Sequence, residues 1–329
     1  EQYRVTEVRL SGDLVVEPER LFPSFRINAG DVYSRKEVTE TVTRISDQLG
    51  NEGYAFANVN TVPDINEDTR EVTVTFFVDP GKRVYVRRIN FAGNSKTRDQ
   101  VLRQEMRQIE GGWFSAEKVE RSRARLQRLG FFETVNVETP AVPGTTDQVD
   151  VNYSVTETPS GSISLGVGFA QSSGIILNGS ITQNNFLGTG RQLSTSLDTS
   201  SVNKMLSFSY TNPYYTLDGV SRGFGAYARP TDANSANLAD YSTDAYGANV
   251  NYGFPISEFN AINFSFAAEH LKLKTGNDPS KEITDFIDKH GEDFTSVAMS
   301  GSWSHDSRNR RIFPGSGGLQ RLTFEAQIP

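Results

Sequence analysis

The stretch that decides the fold of the C-terminal half reads Gly161-Ser162-Ile163-Ser164-Leu165-Gly166-Val167-Gly168-Phe169. Apolar side chains occupy every second position, and small or polar residues fill the positions between them. A period of two is typical of a β-strand with one apolar face. The same alternation continues to the end of the sequence and predicts nine strands at 161–170, 174–184, 191–200, 203–212, 221–229, 240–254, 261–273, 294–305 and 317–328.

The two faces of these strands differ as the faces of membrane strands do. One face holds large apolar side chains such as Tyr246, Val250 and Phe266, whereas the other holds mainly serine, asparagine and glycine. An outer-membrane barrel places apolar residues outside and polar residues in its lumen. Residues 159–329 are therefore predicted to form an antiparallel transmembrane barrel. Nine strands cannot close a barrel whose two ends both face the periplasm, so we expect further strands after Pro329.

Composition excludes several classes of protein. The sequence has 329 residues, a net charge of −7 and no cysteine. The lack of cysteine excludes disulfides, thiolate zinc sites and cysteine nucleophiles. The mildly acidic charge argues against nucleic acid as the main partner. No run of 18 apolar residues is present, which excludes a transmembrane helix. The first residues lack a signal sequence, so we expect a mature or excised fragment.

Charge is distributed unevenly along the chain. Charged side chains make up 46 of the first 159 residues but 27 of the last 170. This contrast indicates that the first part is surrounded by water and the second by a less polar environment.

The first part contains an internal repeat. Val8-Arg9-Leu10-Ser11-Gly12-Asp13 aligns with Ile89-Asn90-Phe91-Ala92-Gly93-Asn94, and Val72–Val78 aligns with Val149–Val155. A repeated unit of about 80 residues is long enough to be a small supersecondary unit. We place the repeats at 1–80 and 81–158.

Each repeat is predicted to be α+β, in the order strand, helix, helix, strand, strand. Gly53 and Gly130 follow the second helix of each repeat, where a C-terminal glycine is expected. A three-stranded sheet covered by two helices has an open edge. Such an edge can accept an extended strand from another chain through backbone hydrogen bonds.

Five passages together resemble the BamA family, the central subunits of the bacterial barrel-assembly machinery. These are Arg103-Gln104-Glu105-Met106-Arg107-Gln108, Arg128-Leu129-Gly130-Phe131-Phe132-Glu133-Thr134, Asn184-Asn185-Phe186-Leu187-Gly188-Thr189-Gly190, Thr211-Asn212-Pro213-Tyr214-Tyr215 and Arg311-Ile312-Phe313-Pro314-Gly315. The resemblance implies that the repeats are the last two of five polypeptide-transport-associated (POTRA) repeats. Residues 159–329 would then be about 9 strands of a 16-stranded barrel.

The resemblance also implies a function and a location. Members of the family fold and insert other barrel proteins into the outer membrane of Gram-negative bacteria. Residues 1–158 would lie in the periplasm, and the repeat edges would receive clients by β-augmentation. We expect a protein that is not an enzyme and needs no cofactor or metal.

The resemblance implies that the first barrel strand forms a lateral gate, since in this family it meets the last strand at a seam that opens into lipid. The gate residues would be Gly161, Ile163, Leu165, Gly166, Val167, Gly168 and Phe169. Glycine weakens a strand and supplies no cross-strand side-chain pair, so the seam would separate easily. The alternative is that small residues simply fit a crowded lumen, and both interpretations stay open at this point.

Two segments are candidates for partner contacts. The resemblance points to Arg103, Glu105 and Arg107 as a contact with a partner lipoprotein. The predicted helix over 117–129 carries a basic set of residues, Lys118, Arg121, Arg125 and Arg128. This set is either a solvated helix face or a docking site for an acidic lipoprotein or lipid headgroups. Expected partners are outer-membrane lipoproteins, unfolded barrel clients, periplasmic chaperones and lipid.

Other functions fit less well. A translocator of two-partner secretion also joins POTRA repeats to a barrel, but it begins with a plug helix, which is not found before Tyr3. A porin lacks periplasmic repeats. The adjacent residues His305-Asp306-Ser307 cannot converge as a catalytic triad must. His270 and His290 have no partner at metal-ligand spacing.

Overall fold

The computed structural model describes residues 2–171, 173–232, 234, 240–276, 278–308 and 313–328. Backbone proximity divides the chain into two compact units. The first unit comprises residues 1–94 and 105–157, and the second comprises residues 95–104 and 158–329.

The first repeat contains a β-strand, two helices and two further strands. Its elements are β1 (Arg4–Gly12), α1 (Pro18–Leu21), a 3₁₀ turn (Phe22–Ser24), α2 (Arg35–Asn51), β2 (Asn58–Asn66) and β3 (Glu71–Asp79). Helix α2 begins after Ser34, whose side chain accepts a hydrogen bond from the backbone N–H of Glu37 and so caps the helix. Gly53 follows the helix with φ of +104°, as the sequence predicts.

The second repeat has the same order of elements. They are β4 (Tyr85–Ala92), α3 (Asp99–Gln104), α4 (Ala116–Arg128), β5 (Phe132–Glu138) and β6 (Gln148–Glu157). Ser115 caps α4 by accepting a hydrogen bond from the N–H of Lys118. Gly130 follows with φ of +74°. Residues 95–104, which include α3, group with the second unit.

Both repeats use glycine at the same aligned position for the same reason. Gly12 and Gly93 have positive φ values of +106° and +89°. A Cβ atom would lie 2.2 Å from the carbonyl oxygen of Val78 at the first position, and 2.0 Å from that of Val155 at the second. No other residue fits so close to a neighbouring strand. The predicted repeat is therefore confirmed in its backbone geometry.

Each repeat has a three-stranded mixed sheet over a hydrophobic core. The strand orders are β1-β3-β2 and β4-β6-β5, with the first strand parallel to the central strand and the third antiparallel to it. Alternate residues of the central strands are buried, and they are Val72, Val74, Phe76, Val78, Val149, Val151, Tyr153 and Val155. The alternation in sequence thus marks the face that packs against helices α2 and α4.

The two repeats contact each other within the first unit. The side-chain oxygen of Asn51, at the end of α2, accepts a hydrogen bond of 2.7 Å from the N–H of Glu117 in α4. The guanidinium of Arg83 lies 4.4 Å from the ring centroid of Trp113 and donates to the carbonyl of Glu52 at 2.7 Å. These contacts hold the first repeat against the beginning of α4.

The second unit contains an open antiparallel sheet. Its strands are β7 (Gly161–Ala170), β8 (Gly174–Phe186), β9 (Arg191–Thr199), β10 (Lys204–Asn212), β11 (Ser221–Asp232), β12 (Tyr241–Pro255), β13 (Asn260–Thr275), β14 (Asp293–Asp306) and β15 (Leu319–Ile328). Each strand pairs with the next in sequence, so β7 and β15 form the two edges. The nine strands confirm the prediction, and β8 and β11 to β14 extend beyond their predicted ends.

Large apolar side chains on these strands are exposed at every second position. Phe208, Phe264 and Met299 are each more than 40% exposed. A sheet with an apolar face turned outward fits a lipid environment. Helix α5 (Lys281–His290) interrupts the connection between β13 and β14. None of the described helices combines the length and apolar character needed to cross a membrane.

Candidate functional site

The predicted gate residues all lie in β7, at one edge of the nine-stranded sheet. Strand β7 pairs with β8 in unbroken register from Gly161 opposite Gln183 to Ala170 opposite Gly174. The apolar residues of the strand are among the most exposed in the structure, and they are Ile163, Leu165, Val167 and Phe169 at 73%, 85%, 80% and 79%. Among the described strands, β7 is held only by β8.

The glycines of β7 are not required by lack of space. A Cβ atom at Gly166 would lie 3.8 Å from the Cβ of Asn178, and one at Gly168 would lie 3.8 Å from the Cβ of Ile176. These are ordinary van der Waals distances, and neither residue has a positive φ. Gly161 differs, since its Cβ would meet the end of the flexible Gln183 side chain. Within the described chain, crowding does not explain Gly166 and Gly168.

The next strand is fixed at its turn by buried polar contacts. Asn185, at the end of β8, is 6% exposed, donates to the Thr97 hydroxyl at 2.8 Å and accepts from the Gly190 N–H at 2.7 Å. The N–H of Arg98 donates to the Gly188 carbonyl at 2.9 Å. Residues 95–104 therefore hold the β8–β9 turn in place. This turn contains one of the five passages that resemble the BamA family, but the sequence does not predict its contact with residues 95–104.

The glycine in this turn is needed for the same contact. Gly188 has φ of +70°, and a Cβ atom there would lie 2.0 Å from the carbonyl oxygen of Lys96. The following connection is held as well, because the Tyr214 hydroxyl donates to the carbonyl of Gln104 at 3.1 Å. The β8–β9 turn and the β10–β11 connection thus both contact residues 95–104.

One edge of each repeat sheet is covered by its own chain. In the first repeat, the Val5 N–H donates to the Asp31 carbonyl at 2.9 Å. In the second repeat, the Val86 N–H donates to the Gly112 carbonyl, also at 2.9 Å. These bonds protect β1 and β4, so among the described residues the open edges of the two sheets are those of β2 and β5.

The residues predicted to contact a lipoprotein do not share one environment. Arg103 is exposed and pairs with Asp99 at 2.7 Å. Arg107 is also exposed. Glu105 is 5% exposed and forms an ion pair of 2.7 Å with Arg125. The Glu105 carboxylate therefore lies inside the first unit, which the sequence pattern does not reveal.

Two members of the basic set on α4, Arg121 and Arg125, form ion pairs with carboxylates of the first unit. Arg121 pairs with Glu117. Arg123, on the same helix, pairs with Glu120, and the hydrogen bond to Glu120 raises the pKa of Arg123. Arg125 pairs with Glu105. Lys118 is exposed, and Arg128 is half-buried. This arrangement favours a solvated face over a continuous basic docking site.

The histidine-containing motif forms part of the strand ladder. The His305 ring nitrogen Nδ1 lies 3.1 Å from the side-chain oxygen of Asn260. Asp306 pairs with Arg308 at 2.8 Å, and the Ser307 hydroxyl donates to the Gly318 carbonyl at 3.3 Å. Each residue thus has its own local partner. Among the described residues, no group of three acidic or histidine side chains is positioned to hold a metal ion.

Comparison with known proteins gives the class of the chain. The profile of the Omp85 superfamily domain matches residues 185–329, and the POTRA profile, described as surface antigen variable number repeat, matches residues 3–81 and 84–158. The chain therefore belongs to the Omp85 superfamily and carries two POTRA repeats. BamA proteins, which belong to this class, are outer-membrane proteins with periplasmic POTRA domains.

The curated relatives of the chain include BamA proteins. The outer membrane protein assembly factor BamA of Neisseria meningitidis is 32% identical over the whole chain, which covers 42% of that relative. BamA of Buchnera aphidicola is 28% identical over 86% of the chain, which covers 45% of it. The chain thus spans less than half the length of these relatives.

A solved structure supports the same assignment. BamA from Haemophilus ducreyi lacking POTRA domains 1–3 matches 99% of the chain with a TM-score of 0.77 at 33% identity, and 64% of that structure is covered. CdiB from Acinetobacter baumannii matches 99% of the chain and has 62% of its own length covered, with a TM-score of 0.51 at 12% identity. This second match shows a shared fold alone.

Proposed function

We propose that the protein containing this chain folds and inserts β-barrel proteins into the outer membrane. The POTRA edges receive the client as an added strand, and β7 forms a lateral gate. The observation that carries the proposal is the edge strand β7, where Gly166 and Gly168 are required neither by space nor by backbone conformation. The similarity to outer membrane assembly factors supports it.

The glycines weaken the pairing of β7 with its neighbouring strand. Each glycine in a strand lowers stability by about 0.5–1 kcal/mol relative to alanine. Because the hydrogen bond between Asn185 and Thr97 fixes β8 at its turn, separation of β7 from β8 would move β7 rather than β8. A released β7 exposes backbone groups that an incoming client strand can satisfy. The client's own burial of backbone hydrogen bonds in lipid drives insertion.

We also propose partners for the whole protein. These are outer-membrane lipoproteins, unfolded barrel clients, periplasmic chaperones and lipid. Arg103, which also pairs with Asp99, and Arg107 are exposed residues whose guanidinium groups are suited to contact an acidic surface of a lipoprotein. Glu105 would act indirectly, by holding Arg125 in place.

The alternative function is export of a polypeptide through the barrel lumen, as in two-partner secretion. The similarity to outer membrane assembly factors, at 32% and 33% identity, favours insertion over this alternative. The two functions differ in what they require of the seam. Insertion needs β7 to separate from its neighbour, whereas export through the lumen does not.

The test uses the full-length protein in liposomes. One cysteine replaces Gly166 and another is placed in the last barrel strand, and insertion of a client barrel is measured with the pair oxidised and reduced. The control is a disulfide between Ala267→Cys and Ala298→Cys, which face each other on β13 and β14. We expect the seam disulfide to stop insertion reversibly and the control disulfide to leave it unchanged. Insertion through a fully formed seam disulfide would contradict the gate, and export under those conditions would favour the alternative.

A further inference from the structure

The two open edges of the POTRA repeats are not equivalent, because β2 contains Pro63. Strand β2 pairs with β3 in unbroken register, with Pro63 opposite Val74 and its neighbours Val62 and Asp64 opposite Thr75 and Thr73. In an antiparallel pair, successive residues direct their N–H and C=O groups alternately toward the partner strand and away from it.

The direction of the missing N–H follows from this ladder. The β2–β3 pairing continues through Pro63, so the position is one whose N–H would face away from β3. Proline is tolerated in edge strands at such positions. The other residues with outward backbone groups are those two positions apart, Val59, Thr61 and Ile65. Pro63 therefore removes a donor from the middle of the open edge, and its ring occupies the space beside it.

The edge of β5 has no proline, and its pairing with β6 is regular from Thr134 to Glu138, after a register shift between Phe132 and Thr134. The Phe132–Glu138 segment contains no proline, so every residue in it has an N–H group. Val135 pairs with Val155 just as Val59 pairs with Val78 at the aligned position of the first repeat. By this equivalence, Val135 and Val137 direct their backbone groups outward.

We propose that the edge of β5, and not that of β2, is the strand-addition site of this POTRA pair. Its ligand is an extended polypeptide segment, recognised through the outward N–H and C=O groups of Val135 and Val137. Pro63 protects β2 from the same pairing, in the way that edge prolines prevent unwanted strand addition. This inference rests on the proposed function, since it names the edge that receives the client.

The equivalent strands offer a matched pair of reporter positions. Asn60 in β2 and Asn136 in β5 are both exposed asparagines, and they pair with the aligned positions Phe77 and Ser154. A photo-reactive benzophenone side chain is placed at one or the other in the full-length protein. The probe is a synthetic peptide with the sequence of residues 241–254, which alternates apolar and polar residues as a barrel strand does.

We expect the peptide to crosslink at Asn136 about tenfold more than at Asn60, the effect of one backbone hydrogen bond. Val137→Pro should reduce crosslinking at Asn136 by a similar factor, whereas Val137→Thr, which keeps the N–H, should not. Pro63→Val should raise crosslinking at Asn60, and this gain does not depend on whether the Val137→Pro variant folds.

Equal crosslinking at both positions with Pro63 in place would overturn the inference. So would a Pro63→Val variant that leaves the signal at Asn60 unchanged. Peptide capture is measured separately from client insertion, so the two proposals fail in distinguishable ways. Capture at β5 with insertion through a locked seam would refute the gate alone, whereas equal capture at both edges with a functional seam would refute only the choice of β5.

Discussion

Replacing the two unconstrained glycines of β7 tests whether a weak seam strand matters for function. In the double variant Gly166→Ala/Gly168→Ala, the new methyl groups would lie 3.8 Å from the Cβ atoms of Asn178 and Ile176. They therefore enter without a clash. Since each change removes a glycine from a strand interior, β7 should be more stable by about 1–2 kcal/mol in total. This corresponds to about a 5- to 30-fold lower population of the separated strand.

The assay follows insertion of a urea-unfolded client barrel into liposomes that contain the full-length protein. If separation of β7 limits the rate, insertion should slow by about 5- to 30-fold. The matched control is Gly301→Ala on β14, where a Cβ atom would lie 3.6 Å from Phe264. It adds a methyl group to a strand distant in the sheet order and should leave the rate unchanged.

Hydrogen exchange of the β7 amides shows whether the substitutions act as intended. Stronger protection of β7 together with slower insertion supports the gate. Stronger protection with an unchanged insertion rate would refute the reasoning, because the strand would then be more stable without any effect on function. In that case Gly166 and Gly168 would have no role in strand separation.

Three further predictions concern stability. Asn185→Ala should lower the free energy of unfolding by about 2 kcal/mol because it removes two buried hydrogen bonds. Asn184→Ala, at an exposed position, should change the free energy of unfolding little, and thermal unfolding compares the two variants. Glu105→Ala should lower the free energy of unfolding by about 3 kcal/mol, because it removes the carboxylate that pairs with Arg125. The control Glu120→Ala, at an exposed ion pair, should lower it by about 0.5 kcal/mol or less. Equal melting temperatures of the two variants would contradict a stabilising role for the buried pair. Burial raises the pKa of Tyr153 to about 12, so its contribution to stability is present below about pH 10 and lost as the pH rises toward 12; a difference titration against Tyr153→Phe should lack a phenolate transition near pH 10.

The sequence predicted the elements of both units because their patterns are local. Alternation at Val72–Val78 marks a strand with one buried face, and the structure buries that face against α2. Gly53 and Gly130 were predicted to end helices, and both have positive φ. The resemblance to the BamA family was likewise visible in short motifs, and the comparisons with known proteins confirm it.

The environments of charged residues could not be predicted in the same way. Glu105 lies between the exposed Arg103 and Arg107 in sequence, and the pattern suggests three accessible charges. The structure instead buries Glu105 against Arg125, 20 positions away. Whether a charged side chain faces solvent depends on which distant element packs over it. The spacing of residues along the sequence does not contain that information.

The amino-acid sequence by itself determined the repeat and the nine strands, because side-chain periodicity and turn glycines act over a few residues. The family was indicated by the resemblance of five short passages to BamA proteins. Only the tertiary structure decided which strand edges are open, since the coverage of β1 by Asp31 and of β4 by Gly112 requires backbone groups far apart in the chain to meet. It also showed that a Cβ atom at Gly166 or Gly168 would make only ordinary van der Waals contacts. Space and pairing are properties of packed neighbours, and they exist only once the chain has folded.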